Sequence, residues 1–178
     1  MVSLELLLAL SLTCVVQMAL IILIIYKFRY ASMAAYSEPV SNEVVEDIPI
    51  KSFQGELMSL ANLVQKNRET NLLIVDADCR ECKRMLTSSR YLNDAALDRL
   101  TVIFAFDEKE EELRKVQKIS TYNWIKNKYQ ATREHIFKKL NINFFPFYMK
   151  LDQARKVVYK SPASIDIILE RFDIEMKL

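Results

Sequence analysis

The sequence predicts an α/β domain, a mixed sheet flanked by helices, preceded by a single N-terminal transmembrane helix. Three observations predict it. Cys79-Arg80-Glu81-Cys82 comes shortly after the apolar run Leu72-Leu73-Ile74-Val75, so a buried strand delivers a CxxC pair to the start of a helix. Phe144-Phe145-Pro146-Phe147 opens a second apolar stretch far downstream, which ends in a turn. Leu6 to Ile25 is apolar and carries no formal charge, close to the roughly 20 residues that cross a hydrocarbon core as a helix.

Composition narrows the function. The chain has 178 residues, with Lys+Arg 25 against Asp+Glu 23. No basic excess is present to neutralise phosphates, so nucleic acid is not an expected partner. Gly occurs once, at Gly55, which excludes glycine-rich phosphate loops. Of the three Cys, only two lie outside the apolar segment, too few for a disulfide scaffold.

The elements follow in order. Residues 1–30 read as the anchor, with residues 6–25 in the membrane. A cleaved signal peptide fits poorly, because no Lys or Arg precedes the run and the run exceeds a signal core. Cys14 reads as a small apolar residue of the span. Residues 31–47 hold Ser, Pro, Asn and acids without a sustained period and read as a linker. The domain then covers residues 48–178. Ile48 to Phe53 alternates as a strand, turns at Gly55 and returns through Leu57-Met58. Ser59 caps a short helix through Leu60, Leu63 and Val64. After the CxxC helix, Thr101 to Phe106 is a second buried strand. Glu108 to Lys118 is a charged helix, and Tyr122 to Leu140 continues at helical spacing through Trp124, Ile125, Tyr129, Ile136, Phe137 and Leu140. Phe147 to Leu151, the turn Asp152 to Arg155 and Lys156 to Tyr159 make a hairpin. Ser164 to Phe172 closes as a helix, with Ile165, Ile168 and Leu169 on one face.

The CxxC spacing suits dithiol chemistry. One cysteine attacks a partner disulfide as thiolate, and a second resolves the mixed disulfide. Residues three apart share a helix face, and a helix N-terminus favours a thiolate. Cys79 is therefore the nucleophile and Cys82 the resolving thiol. A structural zinc needs four ligands, and the only His is His135, so no metal site is expected within one chain. Two unrelated buried cysteines are the remaining bland reading. Pro146 stands at a strand start, where cis and trans forms are not separated by sequence. Phe144, Phe145 and Phe147 are either core or an apolar rim for a peptide, with core expected for at least two. The acidic run Asp107 to Glu112 reads as a solvated helix start. His135 reads as a surface helical residue. Tyr122, Trp124 and Tyr129 read as packing.

With these residues in place, the chain resembles membrane-anchored bacterial thioredoxins of the cytochrome-maturation and methylamine-utilisation types. The resemblance rests on Ile48-Pro49-Ile50-Lys51-Ser52-Phe53-Gln54-Gly55, Ser59-Leu60-Ala61-Asn62-Leu63, the apolar strand, the CxxC and Phe145-Pro146, and covers about residues 45 to 175. It implies a thioredoxin-like fold, Cys79 and Cys82 as the redox pair, Pro146 as a cis-proline, and Phe145 with Pro146 as the substrate-binding strand start. It implies protein or peptide thiols and disulfides as substrates, a redox partner protein, and no cofactor. Lys27 and Arg29 after the span, against Glu5 before it, would put the domain in the cytoplasm. The resemblance implies the opposite, a single-pass protein of the cell membrane with its domain outside the cytoplasm. The chain departs from the family at Asp78, where Trp is usual, and at Arg80-Glu81, where a small pair is common. It also has Leu73 where a strand acid is frequent, with Asp76 nearby but out of register. The expected activity is membrane-tethered thiol–disulfide oxidoreduction. The rival is a thioredoxin-like module that binds a partner without catalysis.

Overall fold

The structure is a computed structural model that describes residues 12–25, 43–107 and 119–172. Residues 12–25 are helical, and their large apolar side chains, among them Leu12, Val15, Ile22 and Ile25, are exposed. Among the described residues, no helix is long and apolar enough to cross a membrane. The first part of the expected span, residues 6–11, lies outside the described residues, as do Lys27, Arg29 and residues 31–42 of the expected linker.

The remaining described residues build a seven-stranded mixed sheet. Its strands are β1 (Pro49–Ser52), β2 (Leu57–Ser59), β3 (Glu69–Asp76), β4 (Leu100–Phe106), β5 (Asn127–Thr132), β6 (Phe147–Asp152) and β7 (Val157–Pro162). They lie in the order β2-β1-β5-β4-β3-β6-β7. β3, β4 and β5 run parallel, while β6 pairs antiparallel with β3. Among the described residues, the helices that cover the sheet are α1 (Leu60–Gln65), α2 (Arg80–Ser89), α3 (Asp94–Arg99), α4 (Arg133–Lys139) and α5 (Ile165–Phe172).

Strand alternation creates two cores. Leu72 and Ile74 of β3 join Ile103, Phe147 and Met149 on one face, under Leu60, Leu63 and Val64 of α1 and Ile136 of α4. Leu73 and Val75 join Val102, Phe104 and Tyr148 on the other, under Met85 and Leu86 of α2, Leu97 of α3 and Ile168 of α5. β3 is buried on both sides, which explains its unbroken apolar run. Each such aliphatic side chain contributes about 1.5–3 kcal/mol by leaving water.

Local chemistry fixes the ends. Ser59 Oγ accepts from the Asn62 N–H at 3.1 Å, as a helix cap should. Gly55 turns the first hairpin at φ +93°, where a side chain would be strained. Asp152 Oδ1 accepts from the N–H groups of Ala154 and Lys156 at 2.9 and 2.8 Å, closing the β6–β7 turn. Residues 43–47, read from composition as linker, already lie on the sheet. The Val157 N–H donates to the Glu43 carbonyl at 2.8 Å, and Val45 is buried.

One stretch differs from expectation. Tyr122 to Leu140 is not a single helix. Asn127–Thr132 is β5, parallel to β4, and only Arg133–Lys139 is helical. Its residues, Asn-Lys-Tyr-Gln-Ala-Thr, include good helix formers, so propensity misleads there. The open ladder of β4 decides the conformation, because its backbone groups need partners. The α3 helix was not foreseen either. Asn93 caps it, its Oδ1 accepting from the Ala96 N–H at 2.9 Å. The expected helix Glu108 to Lys118 lies outside the described residues.

Candidate functional site

Topology brings the two sequence signals together. β3 ends at Asp76 and feeds the CxxC, while the antiparallel β6 begins at that same end, with Phe147 opposite Ile74. The residues just before β6, Phe145 and Pro146, therefore stand beside the cysteines. The Phe145–Pro146 peptide bond is cis. The Pro146 carbonyl accepts from the Ala163 N–H at 3.0 Å, tying this loop to the end of β7.

Cys79 is the N-cap of α2, and Cys82 lies in its first turn. The Cys79 sulfur accepts from the Cys82 N–H at 3.3 Å. It also donates to the Phe145 carbonyl oxygen at 3.8 Å. Cys79 is partly open to solvent, whereas Cys82 is fully buried beneath it. Both are free thiols in this structure. The Cys82 N–H is thus the first-turn donor of α2 that meets the Cys79 sulfur, at the positive end of the helix dipole.

Cys82 sits in a different environment. Burial pushes its thiol well above the ordinary range, and the hydrogen bond to Cys79 adds to the effect. The Asp76 N–H donates to the Cys82 sulfur at 3.4 Å and acts in the opposite sense. The Asp76 carboxylate is turned elsewhere. One oxygen accepts from the Asp78 N–H at 2.8 Å, and the other is paired with Arg133. Arg133 also reaches Asp107 at 2.9 Å. Tyr122 lies near enough to feel the Cys82 charge. Its phenol is raised by burial first and by Cys82 second.

The aromatic residues divide as their surroundings dictate. Phe147 is buried, and Phe144 packs against the same core with its ring 5.4 Å from that of Phe147. Phe145 is half-buried beside Cys79 and stacks on the partly exposed Phe137 at 5.7 Å. Tyr122 and Trp124 form an edge-to-face pair at 5.4 Å against the second core. The Trp124 indole N–H donates to Ser89 Oγ at 3.2 Å. His135, expected on the surface, is half-buried, and its Nδ1 is enclosed without a hydrogen-bond partner. It lies in α4 away from the thiols in sequence and joins no hydrogen bond with them.

Sequence reasoning missed the Arg133 bridge. By sequence, Arg133 falls in the middle of a long helical stretch and Asp107 in a solvated acidic run. Only the strand assignment of Asn127–Thr132 places Arg133 next to the ends of β3 and β4. The signal was the alternation of Lys128, Gln130 and Thr132 with Tyr129 and Ala131.

No family model matches the sequence, and no curated protein does. Solved structures match its shape. The thioredoxin domain of a thiol-disulfide oxidoreductase from Bacteroides vulgatus superposes with a TM-score of 0.59 at 18% identity, covering 76% of this chain and 99% of that one. A thiol:disulfide interchange protein from Bacteroides sp. gives 0.58 at 18% identity, covering 76% and 90%. The pneumococcal exposed lipoprotein thioredoxin from Streptococcus pneumoniae gives 0.50 at 16% identity, covering 72% and 98%. Together with the sheet order and the helices on both faces, these likenesses show that the described residues 43–107 and 119–172 adopt a thioredoxin-like α/β fold.

Proposed function

We propose that this protein is a membrane-tethered thiol–disulfide oxidoreductase acting on cysteine-containing proteins or peptides through Cys79 and Cys82. The observation that carries the reading is the Cys79 sulfur, half-open at a helix N-terminus, 3.8 Å from the Phe145 carbonyl and directly above the buried Cys82. The names of the similar structures support it.

The chemistry runs in two exchanges. The Cys79 thiolate attacks one sulfur of a partner disulfide. A Cys79–partner bond forms, and the other partner sulfur leaves as thiolate. Cys82, deprotonated, then attacks the Cys79 sulfur. The Cys79–Cys82 disulfide forms, the partner's second sulfur leaves, and the partner has gained the two electrons that the protein lost. A second redox protein must reset the pair. Phe145 and Pro146 hold the incoming segment, with the stacked Phe137 and Phe145 rings beside it.

Tethering is supported by the exposed apolar helix of residues 12–25 within the apolar run that begins at Leu6. Placement of the domain outside the cytoplasm is supported by the similar lipoprotein thioredoxin, described as exposed. The test is trapping in membranes that carry the full-length chain. Cys82→Ser accumulates partner adducts that disappear on reduction. An absence of such adducts, or their persistence in Cys79→Ala/Cys82→Ser, contradicts the reading.

A further inference from the structure

β3, β4 and β5 are parallel neighbours, so their carboxyl ends lie side by side. Each end carries a charged residue: Asp76 closes β3, Asp107 follows β4, and Arg133 follows β5. Arg133 bridges both acids, and its Nε is enclosed without another partner. Asp76 itself is buried. The guanidinium fork matches two carboxylates as an ammonium cannot. This bridge ends at the residue whose N–H touches the resolving sulfur.

We propose that Arg133, anchored by Asp107, is a positioning residue for the second exchange: it balances the charge of the Asp76 carboxylate, whose own N–H meets the Cys82 sulfur. The role rests on the exchange function proposed above and concerns its resolving half. Cys82 must shed its proton before it can attack Cys79. Its burial opposes that, and so does a negative charge at Asp76. Only the Asp76 N–H, among these influences, favours the thiolate. The groups facing Asp76 are Cys82 from α2, the Asp78 N–H, and Arg133 from α4 with Asp107 behind it. Tyr122 faces Cys82 from the loop before β5. Without Arg133, the carboxylate stands unbalanced beside a thiol that must become anionic.

The experiment follows single-turnover exchange of the full-length chain with one equivalent of a chromogenic aromatic disulfide. Attack by Cys79 releases the first coloured thiolate, and attack by Cys82 releases the second. Arg133→Gln slows the second release by about tenfold and leaves the first within about twofold, as expected for a like charge left near the second thiol. Adding Asp76→Asn to Arg133→Gln removes both charges and restores the second release. Arg133→Lys falls between, because it reaches one carboxylate at a time. Equal slowing of both releases, an unchanged second release, or a double variant as slow as Arg133→Gln overturns the assignment. A wild-type chain that releases no thiolate overturns the exchange function itself, and this role with it.

Discussion

The sulfur of Cys79 donates to the carbonyl oxygen of Phe145 at 3.8 Å, across a sequence separation of 66 residues. The contact follows from topology. β3 and β6 are antiparallel neighbours, so the exit of one and the entry of the other share an end of the sheet. The Cys79 sulfur and the Phe145 backbone are thereby fixed side by side. Removing the sulfur should remove the chemistry and leave the fold. Cys79→Ser keeps a good helix cap, so the thermal transition should stay within a few degrees. Exchange with a disulfide peptide should fall by roughly a thousandfold or more, as when other enzymes lose a nucleophile. Rapid-mixing kinetics and a melt on the same sample check both.

The stacked rings of Phe137 and Phe145 form the apolar surface next to that sulfur. Phe137 is partly exposed. Phe137→Ala should raise KM for an apolar disulfide peptide by about fivefold, the scale of one lost aromatic contact. Exchange with a small disulfide such as oxidised glutathione should change little. Equal losses on both would show that the ring shapes the cysteines and not the substrate site.

Stability of the reduced protein should fall in alkali. The folded Cys82 thiol is raised by burial, whereas the unfolded thiol ionises from about pH 9. Above that point the unfolded chain releases a proton that the folded chain keeps. Stability present below about pH 9 is therefore lost as pH rises, at up to about 1.4 kcal/mol per unit. Tyr148, buried and donating to Asn71 at 2.7 Å, acts in the same direction from about pH 10. Urea midpoints should decline through this range, read by fluorescence of Trp124, the single tryptophan. Cys82→Ala should flatten the earlier part of the decline.

Leu73 is the point where packing and site meet. It lies fully buried in β3, between β4 and β6, in the same core as Cys82, Met85 and Leu86 of α2. Leu73→Ala should cost about 3 kcal/mol, from lost burial plus the cavity left behind. A urea titration measures it. A cost below about 1 kcal/mol would mean that the core closes over the gap.

The fold was legible where one force dominated. β3 and β4 are buried on both faces, and each carries an unbroken apolar run, Leu72 to Val75 in β3 and Val102 to Phe106 in β4. Ser59, Gly55 and Asp152 announced a cap and two turns because each has a backbone need that few residues meet. The closeness of Cys79 and Cys82 to the residues before β6 was legible from the CxxC spacing and the strand-start proline. β5 was not. Asn127–Thr132 is half-buried and polar on one face, and its conformation is imposed by its neighbour β4. That single error hid the Arg133 bridge, since a helix through those residues would carry Arg133 away from Asp76. The capped helix Asp94–Arg99 is too short for a clear period, so only its Asn93 cap marked it.

The proposed exchange requires that Cys79 and Cys82 interconvert between dithiol and disulfide. The direct measurement is equilibration of the full-length chain with reduced and oxidised glutathione over a range of ratios, followed by alkylation and mass determination. Such an exchange predicts a reversible two-electron transition in which Cys79 and Cys82 lose alkylation together and form a bond between them. It also predicts that neither Cys79→Ser nor Cys82→Ser shows that transition. A chain whose two thiols stay alkylatable at every ratio, or titrate independently of each other, would contradict it.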